Sequence, residues 1–171
     1  MFTPNDLVVY PAQGVGKIER IDSQTIGGIA CDFYIVRIQA NNVTLMVPVN
    51  NAAHVGLRTL TPHEEAGRIL EGLRNSTGKI VHTGQNWNRR FREYSERLKS
   101  PSLAIVAEVL RELLLIGRSK ELSFGERRLQ EQAMGLVTGE LSEVLEVEES
   151  KVRDELLEIY APPPVDQESA G

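Results

Sequence analysis

The chain has 171 residues, 41% of them hydrophobic and 25% charged, a globular composition long enough for one compact domain or two small ones. Against 19 basic residues stand 24 acidic ones, and the net charge of −5 argues against holding nucleic acid by bulk positive charge. No apolar run approaches the roughly 18 residues of a membrane helix, the start lacks a signal peptide's basic and apolar parts, and the single cysteine, Cys31, excludes an internal disulfide, so a cytoplasmic protein is expected.

The first sixty residues read as β. Leu7–Tyr10 is a short apolar strand stopped by Pro11, and Val15–Ile21 follows as an alternating strand. Gly27-Gly28 is a hairpin turn signal, Phe33–Gln39 is rich in β-branched and aromatic residues, and Asn41-Asn42 turns the chain again. Val43–Val49 is a strand interrupted by Pro48, and Val55–Leu60 closes the set. Five short strands with tight turns predict a small antiparallel barrel of Tudor or SH3 type over residues 1–60.

The character changes at Thr61. Thr61-Pro62-His63-Glu64 reads as a capping box opening a helix that carries Ile69, Leu70 and Leu73 and ends near Asn75–Gly78. A second helix is predicted over about 85–99. A third follows Ser100-Pro101, with Leu103, Val106, Ala107, Leu110, Leu113 and Leu114 on one face and Gly117 as its C-cap. Ser123-Phe124-Gly125-Glu126 is a second capping box, opening a long helix with Leu129, Ala133, Leu136, Val137 and Leu141 at core spacing. A last helix covers about 148–160 and stops at Pro162-Pro163-Pro164. The expected fold class is α+β: the barrel, an all-α bundle over residues 61–160, and a disordered tail over 161–171.

Charge is unevenly placed along this plan. Residues 1–60 are neutral, residues 61–100 carry +3 and residues 101–171 carry −8. A local field of a few charges acts within about 10 Å at ordinary salt, so the basic middle segment is judged separately from the whole.

No catalytic or metal constellation assembles from the sequence. His54, His63 and His82 fall in different elements without a cysteine or carboxylate at ligand spacing, and Cys31 has no activator near it in sequence. Gly14-Val15-Gly16 is half of a dinucleotide loop, but Glu19 occupies the third glycine position and a strand follows. The Glu-rich C-terminal third reads as solvated helix faces. The expectation is a protein that is not an enzyme and takes no cofactor or metal.

Asn86-Trp87-Asn88-Arg89-Arg90-Phe91-Arg92 stands apart, holding the only tryptophan and three arginines. Trp87, Phe91, Tyr94 and Leu98 share one helix face, the pattern of a core stripe. Yet Trp87 sits in the first turn, between asparagines and arginines that make poor core neighbours. An exposed aromatic beside arginines suits nucleic acid, with the arginines on phosphates and the ring wedged at a base step or stacked on an unpaired base. The residues alone leave both readings open.

The order of features resembles the CarD/CdnL family of bacterial transcription regulators. The resemblance rests on Asp6-Leu7-Val8-Val9-Tyr10-Pro11-Ala12-Gln13-Gly14-Val15-Gly16, Met46-Val47-Pro48-Val49, Asn86-Trp87-Asn88-Arg89-Arg90-Phe91 and Leu122-Ser123-Phe124-Gly125-Glu126-Arg127, and spans about residues 1–160. The first motif is similar also to the polymerase-interaction module of transcription-repair coupling factors, whose ATPase motifs this chain lacks. The resemblance implies a Tudor-like domain that binds the RNA polymerase β subunit through a strand edge. Here that edge would be Val43, Thr44, Leu45, Met46, Val47 and Pro48, with Gln24 and Thr25 of the neighbouring hairpin. Gln24 and Met46 replace arginines found in some relatives, which implies a less electrostatic contact, and Leu45 and Val47 read equally as barrel core. The resemblance further implies a helical domain at the upstream edge of the transcription bubble. Trp87 would be its minor-groove wedge, with Arg89, Arg90, Arg92, Arg127 and Arg128 on phosphates. The implied protein is a cytoplasmic monomer that reaches the nucleoid through RNA polymerase and stabilises the open promoter complex. The alternative is a polymerase adaptor without DNA contact.

Overall fold

Gly27 and Gly28 both adopt positive φ (59° and 80°), the pair that a two-residue primed hairpin turn requires. Strand β2 (Gly14–Ile26) therefore folds straight back as β3 (Ile29–Ile38), with Ile26 opposite Ile29. The shorter strands β1 (Leu7–Tyr10) and β4 (Thr44–Pro48) flank this ribbon in an all-antiparallel sheet of order β1-β2-β3-β4. A register shift between Ile18 and Arg20 bends β2 and lets the sheet curl into half a barrel. Val8, Ile18, Tyr34, Val36, Ile38 and Val47 fill its concave face, together with Ala52 and Leu57. The structure, a computed structural model, describes residues 1–78 and 87–163.

The predicted fifth strand over Val55–Leu60 does not form. After β4 the chain makes a 3-10 turn (Val49–Asn51) and one helical turn, α1 (Ala52–Val55), which Gly56 ends at φ 87°. The Asn-Asn-Ala-Ala run has little strand preference, and a left-handed glycine terminates a helical turn. Beyond it, main-chain pairing with the sheet is a single bridge, with Val9 and Arg58 exchanging hydrogen bonds of 2.8 and 3.1 Å.

Five longer helices follow: α2 (His63–Arg74), α3 (Trp87–Leu98), α4 (Leu103–Ser119), α5 (Phe124–Leu145) and α6 (Glu149–Ile159). The mostly apolar α4 packs on α5 and touches α2 and α3 in a second core, while α6 packs on α5 and α2. Two expected boundaries change. Thr61 does not cap α2, because its amide and hydroxyl donate to Glu140 on α5, so Pro62 takes the cap position without a side-chain bond. Gly117 lies inside α4 rather than at its end. Its missing Cβ admits Leu122, 3.3 Å from where that atom would be, and the helix runs on to Ser119. The second capping box forms as expected: Ser123 accepts from the Glu126 amide, and the Glu126 side chain accepts in return.

At the far end of the bundle Tyr160 donates to the carbonyls of Leu73 and Asn75, at 2.6 and 3.0 Å, tying the chain after α6 to the exit of α2. Among the described residues no helix is long and apolar enough to cross a membrane, and no group of three or more His, Cys, Asp or Glu could hold a metal ion. His82, the predicted start of α3 at Gln85-Asn86, and residues 164–171 of the predicted tail lie outside the described residues.

Candidate functional site

Two surfaces carry the residues singled out in the sequence. The first is the outer edge of β4. Val43 accepts a 2.8 Å hydrogen bond from the Ile38 amide, and alternation along an antiparallel ladder then turns the main chains of Leu45 and Val47 toward β3. Thr44 and Met46 consequently direct their N–H and C=O groups outward. At the opposite edge of the sheet, β1 is covered by its bridge to Arg58, whereas no described strand pairs with the outer side of β4. Side chains divide the same way: Val47 is 2% exposed in the barrel core and Leu45 packs against that core, while Met46 is 50% exposed. Of the six edge residues, Thr44 and Met46 are thus the ones with free main-chain groups, and Val47 contributes to the core. Gln24 and Thr25 are exposed on the ribbon leading to the hairpin tip, where Ile26 and Ile29 are also exposed.

The second surface is the end of the bundle where α3 and α5 begin. Along the apolar stripe of α3, Leu98 and Tyr94 are buried, Phe91 is 42% exposed and Trp87 is half-buried again against the core. The indole lies against the backbone of Gly125, so closely that a Cβ added there would stand 2.9 Å from its Cζ2. Phe91 meets the indole edge-on at 5.8 Å between centroids, and the Arg90 guanidinium carbon lies 5.4 Å from the ring centroid, within cation–π range. The indole thus packs against the helical core while keeping part of its surface exposed.

The structure gathers Trp87, Arg90 and Phe91 with Phe124 and Gly125 at this end, and Arg128 follows one turn along α5. Arg89 and Arg92, two and five residues beyond Trp87, project from the opposite side of α3. Arg89 pairs with Glu93 at 3.7 Å and Arg127 with Glu121 at 2.9 Å, while Arg92 and Arg128 are exposed and make no ion pair among the described residues. The sequence reading gave Phe124 and Gly125 no contact role. Phe124 is 78% exposed. A signal for it was present: its neighbours three and four residues on are Arg127 and Arg128, not apolar partners. Replacing Gly125 with alanine is expected to push the indole off its seat while leaving helix content unchanged, because alanine favours helix. A red shift in emission from the chain's only tryptophan would report it.

The two surfaces are joined by a buried charge. Glu140 of α5 is 2% exposed and receives both terminal nitrogens of Arg58, at 2.8 and 2.7 Å. Thr61 adds its amide at 2.9 Å and its hydroxyl at 2.6 Å. Burial pushes the Glu140 carboxyl up, but hydrogen bonds from Arg58 and Thr61, with the charge of Arg58, hold it below the ordinary carboxylate range. This corrects the expectation that the Glu-rich third is wholly solvated. Glu140 lies three residues after Val137, on the apolar stripe, and that placement was the available signal.

The fold and these surfaces define a Tudor-like antiparallel module coupled to a helical module. A CarD-like/TRCF RID domain model matches residues 2–61, and a CarD C-terminal domain model matches residues 68–157. The chain belongs to the CarD/CdnL-type transcription factor family. It is similar to YdeB of Bacillus subtilis (strain 168), named as a candidate transcription factor, at 23% identity over 153 residues, covering 90% of this chain and 98% of YdeB. A solved structure titled CdnLNt from Myxoccoccus xanthus is 39% identical, covering 34% of this chain and 83% of its own, with a TM-score of 0.31.

Proposed function

We propose that the protein regulates transcription initiation by docking on the RNA polymerase β subunit through the open edge of β4 and holding promoter DNA at the upstream edge of the bubble with Trp87. The observation that carries this reading is the partly buried indole, seated on Gly125 and overlaid by Arg90, with the exposed Arg128 one turn further along the helix that carries Gly125. The seat on Gly125 fixes the ring, and the part of the indole left exposed offers a rigid apolar edge to a base step. Residues 1–60 act as the polymerase anchor and residues 61–160 as the DNA-contacting part.

With a net charge of −5 and several arginines already paired with glutamates, autonomous DNA affinity is weak. Tethering to polymerase makes the DNA contact intramolecular and raises its effective concentration to the millimolar range. A contact made only with opened DNA stabilises that state and slows bubble collapse. The protein then works as a monomer, reaching the nucleoid with polymerase. In a competitor-challenge assay, the full chain is expected to lengthen the lifetime of polymerase–promoter open complexes; an unchanged lifetime would refute the reading. Crosslinks from position 87 that reach only protein would favour the adaptor without DNA contact.

The anchor has its own test. The Met46 amide points away from β3, so proline there removes no ladder hydrogen bond, and an edge position of this kind tolerates it. Met46→Pro is expected to retain the wild-type circular dichroism spectrum yet lose polymerase in a pull-down, because the outward donor needed for strand addition is gone. Undiminished recovery of polymerase would rule out docking by the β4 edge.

A further inference from the structure

Helix α5 touches both surfaces. Its C-terminal half carries the β module through Arg58–Glu140, through Thr61–Glu140, and through the Gln39 amide that donates to Glu143 at 3.4 Å. Leu136 of the same helix lies 3.7 Å from where a Cβ of Gly14 would stand. Its N-terminal end seats the indole of Trp87 on Gly125. Between these points α5 is one uninterrupted helix, pinned at its start by the Ser123 capping box and ended by Glu146 in the left-handed conformation. Gly125 and Glu140 are fifteen residues apart, or about 22 Å along the axis at ~1.5 Å per residue.

The clamp at Glu140 grips backbone as well as side chains. Arg58 exchanges two main-chain hydrogen bonds with Val9 of β1, so its guanidinium transmits the position of the sheet. Thr61 binds through its amide, so the strap into α2 is held at the same carboxylate. A bidentate arginine pair fixes direction as well as distance, which surface ion pairs between flexible side chains do not.

We infer that Arg58, Glu140 and Thr61 are positioning residues that make α5 a rigid strut between the polymerase-docking edge and the indole, so that the module docked on polymerase dictates where Trp87 meets DNA. This rests on the function proposed above. The consequence is separable from either binding contact. Loosening the clamp leaves both surfaces intact, but it spreads Trp87 over many positions and dilutes its effective concentration at the base step.

The test uses two full-length variants: Arg58→Lys, which keeps the charge but loses the bidentate grip, and the uncharged double variant Arg58→Met/Glu140→Gln, which removes both charges while leaving a side-chain carbonyl to accept from Thr61. Spin labels on Cys31 of β3 and on Glu93→Cys of α3 give the distance distribution between the modules without polymerase. A single narrow distribution is expected with the native clamp and a broadened one in the variants. Polymerase recovery in a pull-down is expected to be unchanged, and the gain in open-complex lifetime to fall about tenfold, close to that of Trp87→Ala. Adding Trp87→Ala to a clamp variant should then cause little further loss. A distribution that stays narrow in whichever variant folds, or a full lifetime gain in a variant whose distribution has broadened, would overturn the strut. If the wild-type chain fails to extend lifetime while the distributions behave as expected, the functional reading fails and the strut stands.

Discussion

Glu140→Ala is expected to destabilise the protein by about 3–5 kcal/mol, the range for removing one partner of a buried ion pair. The change strips the Arg58 guanidinium, whose side chain is 21% exposed, of its carboxylate, and leaves the Thr61 amide and hydroxyl without acceptors. Each buried donor so orphaned costs about 1–3 kcal/mol, which is why the loss exceeds that of any surface bridge here. Chemical denaturation followed by circular dichroism measures it. An effect below about 1 kcal/mol would mean that the pair is solvated in the folded state.

The same carboxylate gives a pH dependence with a definite sign. Its folded pKa is held below the unfolded value, so the folded state binds the proton less readily than the unfolded chain. The stabilisation is complete above the ordinary carboxylate pKa and is lost as pH falls through the folded value. The melting temperature of the wild type should therefore fall on acidification more steeply than that of Glu140→Gln, which has no proton to take up at that position.

Trp87→Ala is the substitution expected to act most strongly on function, shortening open-complex lifetime by about 10- to 100-fold. This corresponds to the ~1–3 kcal/mol of an aromatic contact with a base. The structural cost is smaller than for a buried tryptophan. The ring packs on Gly125 and Phe91 under the Arg90 guanidinium but is only partly buried, so less than the usual 3–5 kcal/mol applies, or about 2 kcal/mol. The variant is expected to stay folded, to recover polymerase normally in a pull-down, and to lose the lifetime gain. Trp87→Phe, which keeps an aromatic face, should retain part of it. A folded Trp87→Ala protein with the full lifetime gain would remove the indole from the mechanism.

Legibility differed between the two surfaces. The edge strand was bounded almost to the residue, because Asn41-Asn42 and Pro48 punctuate it. Which of its residues are available was not legible, since that depends on register: pairing of β4 with β3 turns Val47 into the core and the amide of Met46 outward. At the bundle end, periodicity placed Trp87 on the same stripe as Leu98 but could not say that Phe91 is exposed while Trp87 is partly buried against α5. That followed from where α5 begins, with a glycine under the indole.

The sequence alone settled the succession of a β module and helices, the capping box at Ser123, the basic segment around Trp87 and the family resemblance. All of these rest on local signals, namely turn residues, caps and periodicity, which act over a few positions. Tertiary structure decided what long-range pairing controls. Glu140 draws the hydroxyl of Thr61 away from capping α2, because a buried carboxylate needs donors more than a helix end open to solvent does. It also decided that a buried charge on α5 clamps the two modules together, a partnership between residues 58 and 140 that no local pattern encodes.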